Sequence, residues 1–194
     1  MHTIFNQERN GDIDKLRKHF GPSDRDVIKE WIQQLGPYRF TGTLNFSRII
    51  TPKQAWEHCG TFVRRFHKRT LHRRWAMKGI APHGGVVIME VAPLDARRTA
   101  IPMVPHFHFL LRDHPSLARS DHDAISSMNA ALQSIAGNLK DENERAVCDS
   151  SSKLNGFKIV STPEHLSSYL AKQVHYAEWK ASSNVKLICG TGVG

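Results

Sequence analysis

The run PHFHFLL, residues 105–111, places His106 and His108 two positions apart inside an otherwise apolar segment. With 12 histidines in 194 residues, that spacing alone is close to a chance expectation. Its setting carries the information. Side chains alternate along a strand, so His106 and His108 share one face with Val104 and Leu110, while Phe107, Phe109 and Leu111 take the other, the core face. Positions two apart on a strand are about 6.5–7 Å between α-carbons. Two imidazoles can therefore reach one ion, and imidazole is the commonest protein metal ligand. The preceding apolar segment, GGVVIMEVAP over 84–93, contains a single carboxylate, Glu90. A lone carboxylate in an apolar strand is costly unless it is paired or metal-bound. Two histidines and one carboxylate with open positions form a catalytic metal set rather than a closed structural one. The alternative is a surface glutamate beside two hydrogen-bonded histidines.

Such a set needs two strands side by side. About ten residues, including Pro93, Arg97, Arg98 and Pro102, join 84–93 to the next strand over 103–112. That is too few for a crossover helix, so the two strands are expected to be antiparallel neighbours. Upstream, GPSDRDVIKEWIQQLG reads as a helix capped by Ser23 and stopped by Gly36-Pro37. YRFTGTLNF (38–46) alternates like a strand. Thr51, Pro52 and Gln54 mark a clear helix start, followed by a buried stripe of Trp56, Cys59, Phe62, Val63 and Phe66. Further helices are expected over 120–139 and 162–180, a polar loop over DENERAVCDSSSK, and strands at GFKIVS (156–161) and NVKLIC. The order implies an α+β fold, with a mainly antiparallel four- to five-stranded sheet and helices packed on it, of the ferredoxin-like or RNA-recognition-like kind. Residues 1–194 read as one domain. Residues 1–36 are its N-terminal helical extension, and 181–194, closing in CGTGVG, read as a linker toward a further domain.

Lysine and arginine total 27 against 18 acidic residues, a net charge of +9 that favours a polyanionic partner, nucleic acid first. No apolar run is long enough for a membrane span, and the N-terminus lacks a signal-peptide core. Three cysteines, Cys59, Cys148 and Cys189, make no disulfide framework, so a reducing cytoplasm is the expected compartment. The segment VRRFHKRTLHRRWAMK (63–78) concentrates Arg64, Arg65, Lys68, Arg69, Arg73, Arg74 and Lys78. Interleaved with Phe66, His67, His72 and Trp75, they read as a single-strand-binding surface of cations and stacking rings. Arg97 and Arg98 are further candidates for contact with DNA.

In SSYLAKQVHYAEW, Tyr169, Lys172 and Tyr176 fall at i, i+3 and i+7, on one helical face. Alone this is an ordinary amphipathic helix. Combined with the histidine strand, the chain resembles the HUH endonucleases. It is closest to their replication-initiator (Rep) branch, which serves rolling-circle plasmids, phages and small single-stranded DNA viruses. YRFTGTLNF looks like that branch's first motif, PHFHFLL like its second and YLAKQ like its third. The likeness spans about residues 38–180. Gln173 stands where two-tyrosine members carry a second tyrosine, so the resemblance is to the single-tyrosine type.

The resemblance implies a site and a reaction. Glu90, His106 and His108 would hold a divalent ion, Mg²⁺ or Mn²⁺, and Tyr169, assisted by Lys172, would attack a DNA phosphate. The products would be a 5′-phosphotyrosine adduct and a free 3′-OH. The substrate implied is a single-stranded or melted origin. The protein is expected to be a monomer without membrane contact, joined in a longer parent to a helicase or primase, in a prokaryotic cytoplasm or a host nucleus. Two rivals remain: an HUH transposase of the REP-associated or insertion-sequence type, and a non-catalytic RNA-recognition-like nucleic-acid-binding module.

Overall fold

The computed structural model describes residues 25–48, 50–90, 105–148, 155–162, 185–189 and 192–193. Helix α1 spans Arg25–Gln34, strand β1 Phe40–Asn45, helix α2 Pro52–Thr70, β2 Gly85–Glu90, β3 His106–Leu111, helix α3 Asp121–Ala136 and β4 Gly156–Ile159. Two further strands, β5 (Val185–Cys189) and the two-residue β6 (Gly192–Val193), close the order. The expected helix over 162–180 lies outside the described residues.

The helix starts follow from local chemistry. At α2, the Thr51 hydroxyl accepts from the Gln54 amide while the Gln54 side chain accepts from the Thr51 amide, with proline in the first turn. This reciprocal cap satisfies donors that a helix N-terminus would otherwise leave open. At α3 the Ser120 hydroxyl accepts from the Asp123 amide, and Asp121 and Asp123 place negative charge at the positive end of the helix dipole.

The sheet order is β4-β1-β3-β2-β5-β6, with every neighbouring pair antiparallel. The run β1-α2-β2-β3-α3-β4 with β3 between β1 and β2 is a ferredoxin-like α+β arrangement. The expected strand count is exceeded. The closing stretch, read as a strand at NVKLIC within a linker, supplies both β5 and β6, because Val185–Ile188 finds an open edge on β2. Over residues 141–148 the polar loop after α3 is more ordered than its composition suggests: Asp141 accepts from the amides of Asn143 and Arg145, and Val147 and Cys148 are buried.

One face of the sheet forms the main core. Phe107, Phe109 and Leu111 of β3 pack there with Phe40 and Leu44 of β1, under α2 and α3. Phe109 lies 5.4 Å, centroid to centroid, from Phe62 of α2. The opposite face is not bare. Ile32, with Trp31, Leu35 and Tyr38, packs on Val86, Ile88 and Leu110. Residues 25–35 are thus an integral layer rather than an appendage. Their apolar stripe covers the sheet at the Gly85 end of β2.

The pairing of β2 with β3 requires close backbone approach at one point. A β-carbon at Gly85 would fall on the Leu110 carbonyl. We expect Gly85→Ala to destabilise the fold by about 1–3 kcal/mol, read as a lowered urea midpoint; an unchanged midpoint would contradict this packing.

A buried histidine cluster ties the chain after α2 to the start of β2. His83 is fully buried, with Nε2 2.8 Å from the Thr70 hydroxyl. The His114 and His67 rings lie 5.0 and 5.5 Å from it, and Trp75 stands edge-on to His67. Burial, then the neighbouring His67 and His114, lower the His83 pKa to about 3. The unfolded chain, with this group near 6.5, binds the extra proton between those values, so stability falls as pH drops through that window. Urea midpoints at pH 7 and pH 4.5 should differ less in His83→Gln than in the parent.

Candidate metal centre

The register of β2 on β3 sets Glu90 directly opposite His106 and Ile88 opposite His108. On the other side of β3, β1 sets Asn45 opposite His106 and Thr43 opposite His108. Directly opposed residues on neighbouring strands share a face. Thr43, Asn45, His106, His108 and Glu90 therefore lie together on the face where Ile32 of α1 packs on Val86, Ile88 and Leu110.

The three expected ligands converge. Glu90 Oε2 lies 2.8 Å from His106 Nε2 and 2.8 Å from His108 Nε2, so one carboxylate oxygen serves both rings. The imidazoles stand edge to face, with centroids 5.1 Å apart. Burial alone would raise the Glu90 pKa, but the hydrogen bonds from His106 and His108 and the attraction of their charges outweigh it and bring it down to about 2. The carboxylate is thus ionised throughout the neutral range and acts purely as an acceptor. The side chains of His106, His108 and Glu90 keep 23%, 14% and 11% of their exposure, so a ligand in solution can reach them.

These residues fit a metal ion. One ligand atom from each lies within 4.8 Å of the others. Ligand atoms about 2.0–2.2 Å from a common ion stand roughly 3 Å apart, which is the scale of the Glu90–histidine contacts. An ionised carboxylate and two imidazoles can bind a divalent ion and leave positions for an outside ligand. Ligation through Nε2 requires that nitrogen to be free of its proton, exchanging two hydrogen bonds for metal bonds.

The other expected site residues separate into two groups. Arg64, Arg65, Lys68 and Arg69 lie on α2, and Arg73, Arg74 and Lys78 in the turn that follows; all seven are exposed. They do not adjoin the histidines. α2 packs on the Phe107–Phe109 face, opposite the triad. Of the expected stacking rings, Phe66, His67 and Trp75 are buried, drawn in against the body of the protein, and His72 alone is exposed. Tyr169, Lys172, Arg97 and Arg98 lie outside the described residues. The cover that α1 gives the site face went unread in the sequence, although Ile32 and Leu35 at helical spacing were its signal.

Among the described residues, no helix is long and apolar enough to cross a membrane. Comparison with protein-family models, characterised proteins and solved structures gives no match.

Glu90→Gln keeps the size of the side chain and removes its charge. Loss of a supporting partner of a metal ligand already costs about 10–100-fold in affinity, so this change at a ligand should weaken Mn²⁺ binding by at least ~100-fold. Isothermal titration calorimetry checks it, and equal affinities would remove Glu90 from the site.

Proposed function

We propose that the chain is a metal-dependent DNA-nicking and DNA-joining enzyme of the single-tyrosine Rep type, starting rolling-circle replication at a single-stranded or melted origin. The observation that carries this reading is the convergence of Glu90, His106 and His108 on the open end of an antiparallel sheet. The basic balance of the chain and the YLAKQ motif support it.

Glu90, His106 and His108 would hold a divalent ion, Mg²⁺ or Mn²⁺. Bound there, such an ion polarises a phosphate and offsets the charge that develops on it. The chain's own part in the chemistry falls to Tyr169 and Lys172. A free phenol has a pKa near 10, so a neighbouring ammonium favours the phenolate needed for attack. The Tyr169 oxygen would form the new bond to phosphorus as the bond to the 3′ oxygen breaks, and that oxygen takes up a proton. The phosphotyrosine bond formed replaces the phosphodiester bond lost, so a 3′-OH can reverse the step and rejoin strands.

The parent incubated with an origin-bearing single strand and Mn²⁺ should give an SDS-stable protein–DNA band. Tyr169→Phe and EDTA should each abolish it. If the parent forms no adduct while still binding the strand, the reading as a non-catalytic binding module stands instead.

A further inference from the structure

Residues 64–78 gather seven cations at the end of one helix and the turn after it. Among the other described cations, Arg39 pairs with Asp113 and Asp121, Lys140 with Glu144, and Arg145 with Asp141. Among the described residues, none of Arg64, Arg65, Lys68, Arg69, Arg73, Arg74 and Lys78 makes an ion pair. Arg64 donates to the Thr61 hydroxyl at 2.9 Å and Arg65 to the Asn138 carbonyl at 3.0 Å, contacts that leave the charge uncompensated. Seven exposed like charges within fifteen residues repel one another, and an extended anion relieves that repulsion.

Three features narrow the anion. The first is position. The α2 cations point away from the sheet on the face opposite the triad, behind a helix about 10–12 Å across. The turn over 72–79 is anchored by Trp75 and His67 beside His83, at the Gly85 end of β2, whereas Glu90 is at the other end. A strand bound at the triad would have to pass around the sheet to lie along these cations. The second feature is how little stacking surface the patch offers. With Phe66, His67 and Trp75 buried, His72 is the one exposed ring within residues 64–78. Single strands are held by cations together with stacking aromatics, whereas a duplex keeps its bases stacked inside and presents phosphates. The third is Met77, 83% exposed between Arg74 and Lys78, and the one large apolar side chain exposed among the described residues. Apolar side chains at a cationic turn are used against the groove of a duplex. A membrane surface fits worse, since an interfacial helix needs a free apolar face and that of α2 is in the core.

We propose that the outer face of α2 and the turn over 72–79 bind the sugar-phosphate backbone of double-stranded DNA, on the side of the sheet away from Glu90, His106 and His108. The surface needs neither metal nor Tyr169. The choice of DNA over RNA rests on the proposed function; the preference for a duplex rests on the patch itself.

Fluorescence anisotropy in EDTA, with an uncut duplex and a single strand of equal length, tests the proposal. The duplex should bind more tightly, with log affinity falling linearly against log salt. Each phosphate contact contributes about −0.9 to that slope. Arg64→Gln/Lys68→Gln and Arg73→Gln/Arg74→Gln should each flatten it by ~1.8 and weaken duplex binding about 10-fold at moderate salt. Circular dichroism melting should be unchanged, since all four side chains are exposed. Duplex binding unaltered in both variants, a single strand bound as tightly as the duplex, tighter binding of an RNA duplex, or capture by phosphatidylserine vesicles without duplex binding would each overturn it. Because the titration excludes metal and cleavage, it separates this surface from the nicking reaction: a chain that never forms an adduct should still bind the duplex.

Discussion

The antiparallel register between β2 and β3 is the constraint on which the site depends. It sets Glu90 opposite His106 and lets one carboxylate oxygen meet both imidazoles at 2.8 Å. Because side chains alternate with period two, a slip of one residue would turn Glu90 into the aromatic core and bring Met89 to the histidines. That alternative is excluded by packing. Phe107, Phe109, Val87 and Met89 are all buried on the face under α2 and α3, so the apolar residues hold the register that the polar ones require.

The two faces of the sheet have different tasks as a result. The core face is closed by two helices with aromatic contacts such as Phe62–Phe109. The other face changes character along the strands. At one end Val86 and Leu110 are sealed by Ile32. At the other, Glu90, His106 and His108 remain partly open, flanked by Thr43 and Asn45. The ionised carboxylate is tolerated at that boundary because two hydrogen bonds and nearby positive charge outweigh its loss of hydration. Opposite it, beyond the helix layer, the charge on α2 stays unpaired. The molecule thus presents a small mixed polar site on one side and a broad cationic surface on the other.

Much of this was legible in the chain. Thr51, Pro52 and Gln54 announced α2, because capping is a short-range effect in which side chains bond to nearby backbone. The alternation in PHFHFLL assigned the faces of β3, and the short connection predicted its antiparallel partner. Other features were not legible. Phe66 and Trp75 looked like stacking rings because composition shows that aromatics are near cations, not which way they point. NVKLIC was legible as the strand that becomes β5, but β6 was not, because it is two residues long and its one pairing is with β5.

By itself, then, the sequence determined the local elements, the α+β class and the identity of the three convergent side chains. These follow from periodicity, caps and the cost of a carboxylate among apolar residues, all of which act over a few positions. Tertiary structure alone decided that α1 would seal one end of the site face, that the aromatic rings between the cations would be buried, and that the cations would lie on the far side of the sheet from the triad. Each of those outcomes depends on which layer a helix joins. That is settled by competition for apolar surface among segments distant in sequence, which no short stretch of residues encodes.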